Sequence, residues 1–123
     1  MLVRDIMKTA MATDKDISLQ EASKVISSKG ISSLIMIKKD KVIGIVTEED
    51  FIENFGKDKK LSQVMSKIVV TISPEEKIAD AIELMREHKI SILPVIEDNE
   101  LVGVISARDI LMDGVQGEDF LFG

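Results

Sequence analysis

Gly44-Ile45-Val46-Thr47-Glu48-Glu49-Asp50 is the stretch that decides the fold, because the chain repeats it as Gly103-Val104-Ile105-Ser106-Ala107-Arg108-Asp109. Both copies read Gly, two apolar residues, Thr or Ser, two variable residues and Asp. The match extends outward at a constant offset of 59 residues, from residues 19–54 to residues 78–113. A long period with only two copies differs from a solenoid, which needs at least three repeats. The sequence therefore predicts one supersecondary unit used twice, with the copies related by a pseudo-twofold axis.

The second repeat carries the clearest pattern of secondary structure. The β-branched run 68–72 predicts a short strand, and Ser73 predicts the N-cap of the helix that follows it. Residues 92–96 and 101–105 have the apolar composition of two buried strands joined by a polar turn. Ser106 then predicts the N-cap of a last, short helix.

The first repeat predicts the same order of elements. Asp14 stands at the N-cap place of its first helix, residues 33–37 and 42–46 are the strands, and the last helix covers residues 48–54. The fold class is therefore α+β, built from two β-α-β-β-α units. We expect the two units to share one core, because a domain of about 60 residues is only marginally stable alone.

The boundaries of the repeats follow from the same alignment. Repeat 1 spans residues 1–56, a charged linker spans 57–60, repeat 2 spans 61–113, and the tail 114–123 has no periodicity. The tail contains Phe120 and Phe122. Two interpretations of the tail stay open, a disordered end or a segment that docks on a partner subunit.

Composition excludes several classes of function. The 123 residues include no cysteine, which removes disulfides, thiolate metal sites and thiol catalysis. A net charge of −6 is unfavourable for a protein that binds the nucleic-acid backbone. Apolar runs are far shorter than the roughly 20 residues of a membrane span, and no signal-peptide pattern opens the chain. The sequence therefore predicts a cytoplasmic protein without a membrane segment.

The repeated motif has two physical interpretations. A Thr or Ser followed three residues later by Asp forms a capping box, which satisfies free N–H groups at the start of a helix. The same pattern also fits a nucleotide site, because a helix start favours phosphate and a carboxylate accepts hydrogen bonds from a sugar diol. For residues 47–50 and 106–109, the pattern leaves both interpretations open.

With these residues in view, each repeat resembles a CBS (cystathionine β-synthase) domain, and the chain resembles a stand-alone CBS pair, or Bateman module. The resemblance covers residues 3–54 and 61–113. It rests on the tandem motif, on the leads Asp5-Ile6-Met7 and Gln63-Val64-Met65, and on Ile-Leu-Pro-Val-Ile at 92–96. The first repeat departs from the pattern where Lys15 and Ile35 stand in place of the prolines of the second repeat.

The resemblance implies two sites for an adenosyl ligand. In each, the motif Asp would accept hydrogen bonds from both ribose hydroxyls, and the Thr or Ser would contact ribose or phosphate. The first site would comprise Ile45, Val46, Thr47 and Asp50, with Val70, Ser91 and Ile92 from the other repeat. The second would comprise Val104, Ile105, Ser106 and Asp109, with Met11, Ser32 and Ser33 from the other repeat. For Val70 and Met11 the alternative is an ordinary core position.

Arg108 and Glu49 break the symmetry of the two motifs. Both directly precede the motif Asp, where the resemblance implies a basic residue that faces the phosphate of the other site. Arg108 would then serve the Asp50 site, whereas Glu49 would repel a phosphate at the Asp109 site. Unit charges about 4 Å apart interact by about 4 kcal/mol at an effective dielectric constant of 20. A phosphate-bearing ligand should therefore prefer the Asp50 site; for Arg108 the alternative is an exposed helix position.

The leading functional hypothesis is a non-catalytic regulatory module that binds AMP, ADP, ATP or S-adenosylmethionine and requires no cofactor or metal. The alternative is a module without ligand that dimerises or docks on another protein. An enzyme is the least favoured hypothesis, because no metal-ligand cluster is evident and no nucleophile stands near His88. The resemblance also implies a regulated enzyme or transporter as partner, and a homodimer. The helix residues expected at the dimer contact are Phe51, Ile52, Phe55, Ile110, Leu111 and Met112.

Overall fold

The computed structural model describes residues 1–29, 31, 33–68 and 70–114 of the chain. It divides into two compact units, here named unit A and unit B. Unit A comprises residues 10–69, and unit B comprises residues 1–9 together with the chain from residue 70. Each unit therefore combines the body of one repeat with the lead segment of the other. The predicted linker 57–60 divides the sequence repeats, whereas the compact units divide at residues 9–10 and 69–70.

Helices and short strands alternate along the chain, which confirms the predicted α+β class. In chain order the elements are α1 (Val3–Ile6), β1 (Ala12–Thr13), α2 (Leu19–Lys29), β2 (Ser33–Lys38), β3 (Lys41–Thr47), α3 (Glu48–Glu53), α4 (Leu61–Val64), β4 (Ser66–Lys67), α5 (Ile78–His88), β5 (Ile92–Glu97), β6 (Glu100–Ser106), α6 (Ala107–Asp109) and a π-helical turn (Ile110–Gly114). The predicted strands of both hairpins are confirmed to within one residue at each end. The short helices α1 and α4 in the lead segments were not predicted.

The sheets of the two units have corresponding registers. In unit A the strand order is β1-β2-β3-β4, with β1 parallel to β2 and the other neighbours antiparallel. In unit B, β5 and β6 pair, and single bridges extend them on both sides, from Ile72 to Val95 and from Lys8 to Val104. These bridges occupy the places that β1 and β4 have in unit A. A register shift after Met36 recurs after Val95, so the repeat is present in the backbone pairing.

One strand prediction and two N-cap predictions were wrong, and the exchange of lead segments accounts for them. The strand predicted at 68–72 is not a named strand: β4 ends before it, at Lys67 in the sheet of unit A, and Ile72 forms a single bridge to Val95 in unit B. Neither Asp14 nor Ser73 is an N-cap, since α2 and α5 begin at Leu19 and Ile78. The carbonyls that precede α5 instead accept hydrogen bonds from the lead segment, Glu76 from Val3 N–H at 2.8 Å and Pro74 from Arg4 N–H at 3.0 Å.

Side chains fix each lead segment at the same place. In unit B, Arg4 forms an ion pair with Glu75. In unit A, the Asp16 carboxylate accepts hydrogen bonds from the backbone N–H and the hydroxyl of Ser62, at the start of α4. These two hydrogen bonds hold the pKa of Asp16 below its usual value. The lead segments are therefore integral parts of the units that receive them.

Most of the buried apolar residues form two clusters, one inside each unit, whereas the sequence led us to expect one shared core. The cluster of unit A includes Leu61 of the lead segment, which is fully buried. The cluster of unit B includes Val3 and Ile6, which are 0% and 1% exposed. Each repeat body thus obtains from the lead segment of the other repeat apolar side chains that complete the core cluster of its unit.

The apolar residues expected at a dimer contact divide into two groups. Phe51 packs against the core cluster of unit A, and Ile110 is a buried member of the cluster of unit B. The burial of Ile110 corrects its assignment to a dimer contact, whereas Phe51 is half-buried. The remaining four are exposed on the surface of the chain, namely Ile52 (75%), Phe55 (90%), Leu111 (64%) and Met112 (68%). The predicted tail residues Phe120 and Phe122 lie outside the described residues.

Candidate functional site

The motif of unit A lies where β3 ends and α3 begins. Thr47 is the last residue of β3 and pairs with Ser33 at the start of β2. The Asp50 carboxylate oxygen Oδ2 accepts hydrogen bonds from the Thr47 backbone N–H at 2.8 Å and from the Thr47 hydroxyl at 3.2 Å. Asp50 therefore caps this helix start with its carboxylate, and the hydroxyl of Thr47 acts as a donor.

In the motif of unit B, a different side chain accepts the backbone hydrogen bond at the helix start. Ser106 ends β6 and pairs with Ile92 at the start of β5. The Ser106 hydroxyl oxygen accepts a hydrogen bond from the Asp109 backbone N–H at 3.0 Å and donates one to Asp109 Oδ2 at 2.8 Å. Here the hydroxyl, rather than the carboxylate, satisfies a free N–H group at the helix start.

The capping interpretation is confirmed at both motifs, and capping occupies only part of the hydrogen-bond acceptor capacity of each carboxylate. Asp50 and Asp109 are both half-buried. Within the described part of the chain, every side-chain hydrogen bond to these carboxylates goes to Oδ2. A carboxylate has about four lone-pair positions on two oxygens. Each motif Asp therefore retains acceptor capacity on Oδ1 for the hydroxyl groups of a ligand.

The apolar residues of the two motifs lie on opposite faces of their strands. Val46 and Ile105 are completely buried members of the two core clusters. Successive side chains of a strand point to opposite faces, so Ile45 and Val104 lie on the other face, where they are 6% and 8% exposed. Of the four predicted residues, Ile45 and Val104 are therefore the candidates for a ligand surface, and Val46 and Ile105 are core residues.

The residues that the family pattern assigns across the repeats lie beside the motif of their own unit. In unit B, the Ser91 carbonyl accepts a hydrogen bond from Ala107 N–H at 2.8 Å, directly after Ser106. In unit A, Ser33 is 6% exposed and pairs with Thr47. Each unit thus places its own motif next to the strand start that the family pattern assigns to the other site.

Met11 and Val70 act as core residues within their units. Met11 packs against the cluster of unit A, and Val70 packs against the cluster of unit B. Both are only half-buried, so part of each side chain stays accessible. The predicted site residue Ser32 lies outside the described residues.

Arg108 and Glu49 are exposed, each on the first turn of the helix that follows its motif. Neither side chain forms an ion pair with any residue in the described ranges. Both charges are therefore available to an external partner. Within unit B, Arg108 occupies an exposed helix position, as its alternative interpretation predicted.

Sequence reasoning missed Lys8, which lies close to the motif of unit B. Its ammonium nitrogen is 2.7 Å from Asp113 Oδ2. This hydrogen bond and the charge of Asp113 raise the pKa of Lys8, and the charge of Asp109 raises it further. The alignment of the leads pairs Lys8 with Ser66, but only the exchange of lead segments brings Lys8 to this motif.

A shallow groove on unit A lies away from the motif. Its lining comprises Ala12, Thr13, Asp14, Lys15, Ile37, Lys39 and Asp40. Lys39 and Asp40 form the turn between β2 and β3, whereas the motif is at the other end of this hairpin. The groove is therefore separate from the candidate ligand site.

In the residues that the structure describes, no group of His, Cys, Asp or Glu side chains could hold a metal ion. The described helices include none with the length and apolar character that crossing a membrane requires. His88 is exposed at the end of α5, a position in which a protonated imidazole stabilises the helix dipole.

Sequence comparisons place these features in a known family pattern. The sequence model of the CBS domain matches residues 3–57 and 61–113. The uncharacterized protein MJ1232 of Methanocaldococcus jannaschii is 34% identical over 107 residues, which are 85% of this chain and 36% of the relative. Inosine-5'-monophosphate dehydrogenase of the same organism is 34% identical over 108 residues, which are 86% of this chain and 22% of the enzyme. The chain thus spans about a third or less of the length of the first relatives that it matches.

Structure comparison gives the same result for the fold. The CBS domain pair of protein MJ0100, solved in complex with 5'-methylthioadenosine and S-adenosyl-L-methionine, superposes with a TM-score of 0.82. The two chains are 28% identical, and the match covers 94% of this chain and 98% of the other. The predicted tandem arrangement of two repeats in one module is therefore confirmed.

Proposed function

The chain belongs to the CBS domain family, and we propose that it is a regulatory module that binds an adenosyl compound at its Asp motifs and catalyses no reaction. One observation carries this proposal above the others. Both motifs hold a half-buried carboxylate whose Oδ2 is bonded within the motif, which leaves acceptor capacity on Oδ1. The ligands of the MJ0100 domain pair support the class of compound, since both are adenosyl thio compounds.

The binding step is a pairing of ribose hydroxyls with a charged acceptor. Hydrogen bonds to a charged group contribute about 1.5–3 kcal/mol each. Asp50 and Asp109 would each accept such bonds, and Thr47 or Ser106 would contact the ribose or a phosphate. By the family pattern, Arg108 assists a phosphate at the Asp50 site, whereas Glu49 opposes one at the Asp109 site.

The regulatory part of the proposal is a change of stability or shape in a larger assembly. The chain matches a region of inosine-5'-monophosphate dehydrogenase that is 22% of that enzyme. We infer that the module controls an enzyme or a transporter in the cytoplasm. The ligand would shift the equilibrium between two states of the assembly by binding one of them more tightly than the other.

The first prediction is that adenosyl compounds bind and stabilise the folded protein. A ligand at about 100 times its dissociation constant adds about 2.7 kcal/mol to the free energy of unfolding. Calorimetric titration with 5'-methylthioadenosine, S-adenosylmethionine, AMP and ATP should show heat of binding with at least one of them. The compound that binds should also raise the melting temperature of the protein. No heat and no shift with all four compounds at millimolar concentration would favour the module that acts only through protein contacts.

The second prediction is a homodimer, for which the exposed apolar residues are the supporting observation. Ile52 on α3 is 75% exposed, and Phe55, which follows the end of α3, is 90% exposed. Large apolar side chains exposed to water are costly and are typical of a contact surface. Sedimentation at micromolar concentration should therefore give about twice the chain mass of 13.6 kDa. Phe55→Ser should shift the protein toward monomer, whereas a wild-type monomer would contradict the proposal.

A further inference from the structure

A charged cluster flanks the Ser106–Asp109 motif of unit B. Lys8 reaches the helix side of this motif through its ion pair with Asp113, which follows Asp109 by about one helical turn. Lys8 reaches the strand side through its backbone, which donates to the Val104 carbonyl at 2.8 Å and accepts from Val104 N–H at 2.9 Å. The lead segment is therefore attached on both sides of the motif, and its ammonium group is held close to it.

Unit A lacks these charges at the corresponding positions. Ser66 corresponds to Lys8 in the alignment of the leads, and Asn54 corresponds to Asp113 at the offset of 59. The Asn54 side chain donates a hydrogen bond to the Asp50 carbonyl at 2.8 Å and carries no charge. The two motifs therefore differ in electrostatic surroundings, although their backbone registers correspond.

We propose that Lys8 determines the charge preference of the Asp109 site, so that this site selects adenosyl compounds that carry an anionic group over neutral ones. The inference rests on the proposed function and adds the class of ligand for one site. The proposal requires that a ribose held by Asp109 place its 5'-substituent within reach of the Lys8 charge, which lies on the same unit. The Lys8 side chain is 54% exposed, so an anionic group of the ligand can share it with Asp113.

The neighbouring charges bear on this assignment in two ways. The charge of Asp109 raises the pKa of Lys8, which means that Lys8 and the motif carboxylate interact electrostatically. Glu49, by the family pattern, would repel an anion at the Asp109 site. Lys8 therefore supplies the compensating positive charge there, as Arg108 does for the other site.

The test uses the Asp50→Ala background, in which the Asp109 site is the one measured. Calorimetry compares ATP with 5'-methylthioadenosine, which is neutral. Lys8→Gln should weaken ATP binding roughly three- to tenfold and change binding of the neutral compound less than about twofold. Asp113→Asn should strengthen ATP binding, because it removes a competing carboxylate from Lys8. Both effects should shrink at high salt as screening increases.

The opposite signs separate this role from a structural one, because Lys8→Gln and Asp113→Asn break the same ion pair. Arg86→Gln is the matched control, since it removes a cation from another exposed ion pair of unit B, with Glu83 on α5. Equal weakening of ATP binding by Lys8→Gln and Asp113→Asn would overturn the inference and leave the proposed function intact. An unchanged ratio of the affinities for ATP and 5'-methylthioadenosine after Lys8→Gln would do the same. Failure of both ligands to bind in the Asp50→Ala background would overturn the proposed function for this site, and the inference with it.

Discussion

Asp50→Ala is expected to lower the affinity of the Asp50 site for adenosyl compounds by roughly 100-fold or more. The substitution removes the acceptor of two ribose hydrogen bonds, which contribute about 1.5–3 kcal/mol each to binding. A loss of about 1.4 kcal/mol corresponds to a tenfold change in affinity. In calorimetry with 5'-methylthioadenosine, one of two binding events should disappear from the accessible concentration range.

The same substitution has a cost in stability, which the geometry allows to be separated from binding. Asp50 Oδ2 is the acceptor for Thr47 N–H, so its loss should lower the free energy of unfolding by about 0.5–2 kcal/mol. Asp109→Ala should cost less, because the Ser106 hydroxyl still accepts the N–H of residue 109. Asp50→Asn retains an oxygen acceptor for Thr47 N–H and should lose ligand affinity with a smaller loss of stability.

Glu53→Ala provides the control for charge. Glu53 is an exposed residue of the same helix, α3, and makes no side-chain hydrogen bond within the described ranges. It should leave ligand affinity within about twofold of the wild type, because an exposed charge in water interacts only weakly with a ligand that it does not contact. If Asp50→Ala lowers stability but leaves affinity unchanged, capping is the whole role of the motif.

The strands and the motif could be predicted from the sequence because local chemistry decides them. Both hairpins have short apolar strands joined by two polar residues with positive φ, Lys39–Asp40 and Asp98–Asn99. Two such residues form the type I′ turn, whose twist matches that of the strands. The spacing of Ser106 and Asp109 likewise predicted a helix cap, and the hydrogen bonds between these two residues form it.

The failures share one cause, which is the exchange of lead segments between the repeats. Ser73 followed by Pro74 has the local chemistry of a helix start, but the Pro74 and Glu76 carbonyls accept hydrogen bonds from residues 3 and 4. A partner that lies about 70 residues away in sequence leaves no periodic signal. For the same reason the separate cores and the position of Lys8 could not be predicted from either repeat alone.

Gly103→Ala is expected to destabilise unit B by about 2–4 kcal/mol, because this glycine makes room for the exchanged segment. A Cβ at residue 103 would lie 2.9 Å from the Lys8 carbonyl oxygen and 3.1 Å from Met7 Sδ. The Lys8 carbonyl is backbone and already bonded to Val104 N–H, so relief of the clash breaks hydrogen bonds as well as packing. Urea unfolding should show a lower midpoint.

Gly44→Ala is the matched comparison, and we expect it to cost less. At residue 44 the overlapping atoms belong to the Met65 side chain, while the nearest backbone atom, the Ser66 carbonyl oxygen, is 3.2 Å away. A methionine side chain can adopt another rotamer, so the clash is relieved without moving the lead segment.

Truncation of the Met65 side chain by Met65→Ala should therefore rescue part of the stability lost in Gly44→Ala, seen as favourable coupling in a double-mutant cycle. Met7→Ala should give little rescue of Gly103→Ala, because the backbone contact with Lys8 remains. Equal losses at the two glycines, or full rescue by Met7→Ala, would mean that the Lys8 backbone is not what the glycine accommodates.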